Sequence, residues 1–370
     1  MSEGPRARVL VHSSADLNAA TNAAFDFLEH DFSGQRVWVK PNLIGPFPPG
    51  RGATTDPELV RRMVGSLRAR GAAEVWVADN PGGWLRGSVE TYLAPTGIVE
   101  ASDGCFRNIA ETPVTLPVRS RFIKEVRVSR ILHEADVVIN VPVLKTHALT
   151  LLSGAVKNLF GVIPGQLKAE MHTAVRNSTE FAELLVDLFQ ALPANILHVM
   201  DAQRGMDGQN GPTGGRTLAI GRLLASRNAV ALDSVMALLC GIEPARVPFL
   251  RIAGERGLGP VRRADIDITG DITPVPGFRL PSPLLAGALT GIIARAYPLA
   301  RSEPLLARER CIRCGRCANG CPAGAIVLDP WPRIDDRRCI NCYCCAEVCP
   351  RHALVVPGPV RGFIHRLTGW

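Results

Sequence analysis

DPELVRRMVGSLRARGAAEVWVADN, residues 56–80, sets the architecture of the large N-terminal part of this chain. Asp56 followed by Pro57 reads as a helix start, with a side-chain acceptor at the cap and proline at the first helical position, and Gly71 reads as the stop. EVWVADN (74–80) is a short apolar, partly β-branched run and predicts a strand; RVWVKPN (36–42) is another of the same kind on the other side of the helix. A strand, a helix and a second strand in this order make a βαβ unit. Working outward, DVVINVPVLKTH (136–147) and NILHVMD (195–201) predict two more strands, and FAELLVDLFQAL (181–192) places Phe181, Leu184, Leu185, Leu188, Phe189 and Leu192 on one helix face. Alternation of this kind predicts an α/β domain, a mostly parallel sheet covered by helices on both sides.

Each of the four strands runs into polar residues at its carboxyl end: Lys40 and Asn42; Asp79 and Asn80; Lys145, Thr146 and His147; Asp201. In an open parallel sheet those ends face one crevice, where ligands bind. The following stretch, ALTLLSGAVKNLFGVIPGQLKAEMH (148–172), adds Lys157, Asn158, Lys168 and His172. Lysine beside histidine provides positive charge for an anion and a proton donor that titrates near neutrality. Lys145, His147 and Lys157 are therefore the candidate catalytic groups. Lys40, Asn42, Asp79, Asn80, Asn158 and Asp201 are the candidates for binding a small anionic substrate. The bland alternative is a set of solvated loop and helix residues. Against it stands the chain's habit of using arginine, since only five of its 42 basic residues are lysine and four of those five lie in or beside these loops. MDGQNGPTGGR (206–216) has four glycines but neither a phosphate-loop nor a dinucleotide fingerprint, and is expected to be a mobile surface loop.

At 370 residues the chain exceeds the roughly 250–300 at which single cores stop growing, so more than one domain is expected. The expected division is an α/β domain at 1–270, a Pro-rich connector with a short apolar helix at 271–304, a small domain at 305–358 and a tail at 359–370. The apolar stretch LLAGALTGIIA (284–294) is shorter than the roughly 18 residues of a membrane span, and the N-terminus lacks the apolar core of a signal peptide. The reading is a cytoplasmic protein without a transmembrane segment, in which structural disulfides are disfavoured.

Nine of the eleven cysteines fall between 311 and 349, and they are periodic. Cys311, Cys314, Cys317 and Cys321 precede Pro322; Cys339, Cys342, Cys345 and Cys349 precede Pro350, each 28 residues later. The spacing C-x2-C-x2-C-x3-C-P is that of a two-cluster bacterial ferredoxin, whose fourth cysteine serves the other cluster. Two 4Fe-4S clusters are expected in a small α+β ferredoxin-like domain, one on Cys311, Cys314, Cys317 and Cys349, the other on Cys339, Cys342, Cys345 and Cys321. Cys344 falls out of register and reads as a non-ligand thiol; Cys105 and Cys240 read as isolated buried thiols. Four-cysteine zinc sites are the alternative. The formal charge of +8 is not gathered into a run. Residues 305–370 hold ten arginines against five acids, and clusters with their thiolates carry about −2 each, so much of the basicity compensates clusters and nucleic-acid binding is not expected.

VKPNL (39–43), VADNPGG (77–83), INVPVLKTH (139–147), GAVKNLFGVIPG (154–165) and RNAVALD (227–233), followed by the double cysteine motif, together resemble the family named domain of unknown function 362 in its ferredoxin-fused form. The resemblance implies an α/β domain with two 4Fe-4S clusters and no assigned reaction. A more distant likeness to the lactate racemase N-terminal domain carries over no catalytic residue. The leading expectation is an iron-sulfur oxidoreductase that exchanges electrons between its clusters and the crevice ligand, fed by a redox partner protein or a small-molecule donor. A non-catalytic carrier or assembly partner, and a redox-neutral enzyme with clusters as sensor or scaffold, are the alternatives.

Overall fold

The computed structural model describes residues 6–81, 88–165, 167–193, 195–281 and 303–357. In the α/β part the strands are β1 (Ala7–Ser13), β2 (Arg36–Lys40), β3 (Glu74–Ala78), β4 (Phe106–Arg107), β5 (Pro113–Pro117), β6 (Glu125–Ser129), β7 (Val137–Asn140), β8 (Val143–His147), β9 (Leu151–Ser153), β10 (Ile196–Asp207), β11 (Arg216–Ser226) and β12 (Ile266–Gly270). Ten of them form one sheet in the order β12-β1-β11-β10-β7-β2-β3-β4, with β8 on β10 and β9 on β8; β5 and β6 make a separate ribbon. Six of its nine pairings are parallel; β11 runs against β1 and β10, and β9 against β8.

The βαβ unit forms as its residues dictate. The Asp56 carboxylate accepts from Glu58 N at the start of the helix Pro57–Ala69, whose Leu59, Val60, Met63, Val64 and Leu67 are buried. They pack with Phe25 and Leu28 of the helix Leu17–Leu28 against Val37, Val39, Val75 and Val77. The opposite face of the sheet is covered by the helices Ser178–Ala191 and Ala229–Leu239.

Three expectations differ. DVVINVPVLKTH is two strands, since Pro142 has no N–H for the ladder and the chain breaks between β7 and β8, both of which run along β10. β10 in turn does not stop at Asp201 but continues to Asp207. The segment 206–216 is not a free surface loop. Met206, Asp207, Gly211, Pro212 and Thr213 are buried, and a Cβ on Gly211 would stand 2.2 Å from Thr146 Oγ1. The expected apolar helix at 284–294 and the tail 359–370 lie outside the described residues.

The small C-terminal part consists of two short ribbons, β13 (Leu305–Leu306) with β16 (Leu354–Val355) and β14 (Ile326–Leu328) with β15 (Pro332–Ile334), and two one-turn helices, Arg316–Asn319 and Cys344–Glu347. The sequence duplication is repeated in the backbone. Arg313 and Asn341, Gly315 and Tyr343, Gly324 and His352 all take positive φ, each pair 28 residues apart. This part shares a core with the α/β part, where Cys317, Tyr343, Cys345, Leu354 and Val356 join the cluster that contains Trp38, Phe160 and Phe181.

Candidate functional site

The carboxyl ends of β2, β3 and β7 bring Lys40, Asp79 and Asn140 together, and β8 carries Lys145 and His147 in behind them. Lys40 and Asp79 are buried and paired, Nζ to Oδ1 at 3.4 Å; the carboxylate also accepts from Leu43 N and Asn80 N, each at 2.9 Å. Burial drives the Lys40 ammonium below its usual range, and Asp79 opposes the shift. Gly161 lets the next layer approach: a Cβ there would stand 2.5 Å from Lys40 Nζ and 3.2 Å from Asp79 Oδ1.

Lys145, 1% exposed, donates to Asn42 Oδ1 and Ala53 O, both at 2.5 Å. Asn42 Nδ2 donates to Asn158 Oδ1 (2.8 Å), Asn158 Nδ2 to Asn140 Oδ1 (2.8 Å), and Asn140 Nδ2 to His198 Nδ1 (3.1 Å) and Ala155 O (3.0 Å). This amide chain fixes the lysine and joins three elements. Burial, with Lys157 nearby, lowers Lys145 to about 7. Lys157 is lowered by burial against the pull of Glu347. Lys168, which donates to Asn80 O, is lowered by burial to about 8. His172 lies against Phe181, ring centroids 4.5 Å apart, and burial lowers it to about 4.

These groups line a cleft of about 830 Å³, part of it open to solvent, whose walls include Asn42, Asp79, Lys145, Lys157, Asn158, Lys168 and His172. Its far wall belongs to the small part: Gly320, Cys344, Glu347 and Val348. His147 lies just behind that wall. Its Nδ1 accepts from Leu149 N at 3.1 Å, so the proton is on Nε2, 3.2 Å from Glu347 Oε1. Burial and Lys157 hold His147 at about 4, so it donates as a neutral ring; burial pushes Glu347 up, but His147, Lys157 and His172 outweigh it and hold the carboxyl at about 2.

Of the residues singled out from sequence, Lys40, Asn42, Asp79, Lys145, His147, Lys157 and Asn158 gather at the cleft or immediately beneath it. Asn80 is beside it, its Nδ2 on Asn108 and its buried Oδ1 without a partner among the described residues. Asp201 does not join them. Its carboxylate accepts from Asp56 N (2.8 Å) and Gln203 N (3.1 Å), and so anchors the start of the helix Pro57–Ala69. Glu347 was not foreseen. A signal for it exists in the duplication, because the helices align position by position and Gly315, Arg316, Asn319 and Gly320 become Tyr343, Cys344, Glu347 and Val348. The second copy departs from the first where it faces the cleft.

Cys311, Cys314, Cys317 and the crossing Cys349 border one small pocket. Cys339 lies near Cys342, the crossing Cys321 and Glu303, and Cys345 lies near Cys342, Cys339, Cys321 and also Cys317 of the first motif. Among the described residues no three histidine, cysteine or acidic side chains are placed to hold a single metal ion. Arg313 N, Ala325 N and Ala353 N point at Cys311, Cys321 and Cys349 sulfur at 3.4, 3.2 and 3.2 Å, the hydrogen bonds that cluster thiolates accept. Cys344 is buried on the cleft wall between two such cysteines, Cys240 is buried, and Cys105 is half-buried beside Arg68.

Among the described residues no helix is long and apolar enough to cross a membrane. Residues 310–353 match the 4Fe-4S dicluster domain, so this part binds iron-sulfur clusters and transfers electrons. A thylakoid-associated protein of Synechocystis sp. is 34% identical over 236 residues, 61% of this chain and 70% of that protein. The lactate racemase apoprotein of Thermoanaerobacterium thermosaccharolyticum (13% identity, 65% of this chain, TM-score 0.43) and a protein of Thermotoga maritima (14%, 61%, TM-score 0.40) are distant structural neighbours. The chain spans 60% and 59% of their lengths. Residues 37–238, more than half of the chain, match domain of unknown function 362, and the chain belongs to that family, with a ferredoxin domain at its C-terminal side.

Proposed function

We propose that this protein is an iron-sulfur oxidoreductase that passes electrons between two 4Fe-4S clusters and a small anionic substrate held in the cleft, in the cytoplasm. The observation that carries the reading is the shared wall: Cys344, flanked by Cys342 and Cys345, lines the same cleft as Lys145, Lys157 and Lys168. When bound, the clusters supply single electrons at the cleft wall. One is assigned to Cys311, Cys314, Cys317 and Cys349, the other to Cys339, Cys342, Cys345 and Cys321.

The chain's own residues set the electrostatics. Asp79 is committed to Lys40 and Glu347 to His147, which leaves Lys145, Lys157 and Lys168 with no carboxylate of their own. Among the described residues the Lys157 ammonium makes no hydrogen bond or ion pair, so it is the group for the anion to meet first. A bound anion raises the proton affinity of the buried ammonium groups. Lys145, at about 7 without one, is then suited to hold a proton and release it to the substrate, and Asn42 and Asn158 hold it in place. His147 holds the Glu347 carboxylate, whose charge acts on Lys157 from the cleft wall. Asp79 lines the floor, with Lys40 paired to it beneath and Asn80 beside it.

The test is a thermal-shift screen of anaerobically loaded protein with carboxylates and phosphate esters, repeated with Lys157→Ala. A ligand should raise the Tm of the wild type and leave the variant unmoved, with the visible absorbance of the clusters unchanged in both. If no anion stabilises the wild type, or if the variant responds equally, the cleft is not the substrate site.

A further inference from the structure

The segment 210–214, whose Gly211 packs on Thr146, borders a second small pocket. The facing wall belongs to the dicluster domain and includes Arg310, Ala346, His352 and Val355. The cleft is its neighbour, since Pro212 and Glu347 line both.

The polar groups on this pocket are donors without acceptors. Thr213 is 2% exposed, and neither its hydroxyl nor its N–H has a hydrogen-bond partner among the described residues. Asn210 Oδ1 is occupied by Val356 N at 3.1 Å, which leaves its Nδ2 to donate. His352 Nε2 lies 3.2 Å from Arg51 Nη2. A guanidinium can only donate, so Nε2 accepts and the ring proton is on Nδ1, which lies beside Gly214 and has no acceptor among the described residues. Asn80 Oδ1 is the one sealed side-chain polar atom without a partner among the described residues, so these groups are open rather than shut in.

The charge has the same sense. Arg51 and Arg310 are the charged groups that act on the His352 ring. Arg51 has no carboxylate partner among the described residues, and Arg310 has only its exposed neighbour Glu309, Nε to Oε1 at 3.8 Å, a contact of little worth. The one acid lining the pocket is Glu347, and His147 holds its carboxylate on the cleft side. Residues 282–302 and 358–370 contain no aspartate or glutamate that could neutralise the two arginines.

We propose that this pocket binds a phosphate group, with Arg310, His352 Nδ1, Asn210 Nδ2 and Thr213 as its donors and Arg51 fixing the imidazole from behind. Donors that border one pocket and include a guanidinium suit an oxyanion. A carboxylate offers two oxygens in one plane, whereas a phosphate offers three or four in a tetrahedron and up to two charges for the two arginines. The walls come half from the α/β part and half from the dicluster domain, so an occupant ties the two together beside the cleft. The site goes beyond the redox reading and does not depend on it.

The experiment is a calorimetric titration of the full-length, anaerobically loaded protein with inorganic phosphate, repeated with Thr213→Val and Arg310→Ala. Thr213→Val keeps the shape of the side chain and breaks no hydrogen bond among the described residues, so it should fold and hold iron as the wild type does. Each variant should weaken phosphate binding at least about tenfold. Because the cleft also attracts anions, Lys157→Ala is the control and should leave this affinity unchanged. Phosphate binding that is lost in Lys157→Ala and untouched in the other two would put the ion in the cleft and overturn the site. So would a wild type that binds no phosphate, or one that binds acetate as tightly. Glycerol 3-phosphate in the same titration identifies the source: binding as tight as phosphate means a group carried on a larger molecule, weaker binding means the free ion, and both support the site.

Discussion

His147 Nε2 donates to Glu347 Oε1 at 3.2 Å across the boundary between the α/β part and the ferredoxin domain, two residues 200 positions apart in the chain. Because Nδ1 is occupied by Leu149 N, the ring is fixed in the one tautomer that can make this contact. The link aligns the cleft wall that carries Cys344 with the lysines opposite it.

Glu347→Ala leaves the buried His147 N–H without its acceptor and removes the negative charge that faces Lys157. The expected cost is about 1–3 kcal/mol, the desolvation of one orphaned donor, read as a lower Tm or urea midpoint of the loaded protein. Glu347→Gln keeps an acceptor and should recover most of it. If both variants unfold like the wild type, the contact does not hold the two parts together.

Gly161→Ala tests the cleft floor. The added methyl would stand 2.5 Å from Lys40 Nζ and 3.2 Å from Asp79 Oδ1, so the ammonium must shift, and the test is whether it keeps its contact with Asp79. Breaking such a pair costs on the order of 3–5 kcal/mol. A denaturation midpoint within error of the wild type would show that Lys40 swings aside without loss.

The legibility of this molecule follows the range of the forces. Asp56, Pro57 and Gly71 act on their own neighbours, so the helix between β2 and β3 can be read from them, and the cysteine spacing acts within a loop and is as plain. Lys145 could be singled out because strand ends converge in any open parallel sheet, and Lys157 because it follows that strand in a segment where lysines stand beside histidines. Asp201 misleads, since a carboxylate one strand away serves equally well to cap a backbone, and only tertiary contacts reveal which. Glu347 depends on how two parts dock, and no local pattern encodes that. The trace it leaves is indirect: a duplicated motif that changes where its second copy meets the cleft.

Cysteine replacement separates ligands from their neighbour. Cys344→Ala should retain about eight irons per chain, whereas Cys345→Ala should lose about four, measured by iron analysis of anaerobically prepared protein. Equal loss in both would make Cys344 a ligand and shift the register of the second motif.

His198 gives the pH dependence a definite sign. It is 2% exposed on β10, and its Nδ1 accepts from Asn140 Nδ2 at 3.1 Å, the end of the amide chain that leads to Lys145. Burial lowers its pKa from the ordinary 6.5 to about 3. The folded value lies below the unfolded one, so its contribution is complete above pH 6.5 and is lost progressively as pH falls through that window toward 3. In this range the unfolded chain binds the extra proton, and stability should fall by about 1.4 kcal/mol per pH unit for each such histidine, or about 2 kcal/mol for His198 between pH 6.5 and 5. His198→Gln offers Asn140 an oxygen that does not titrate in this window. Urea midpoints of wild type and variant, taken at pH 6.5 and 5, should therefore diverge in the variant's favour at the lower pH. His147 and His172, also near 4, contribute the same slope to both proteins and cancel in the comparison. Parallel acid slopes in the two would mean that His198 is already charged in the folded protein, with Asn140 flipped to present its oxygen, and the amide chain to Lys145 would then run in the opposite sense.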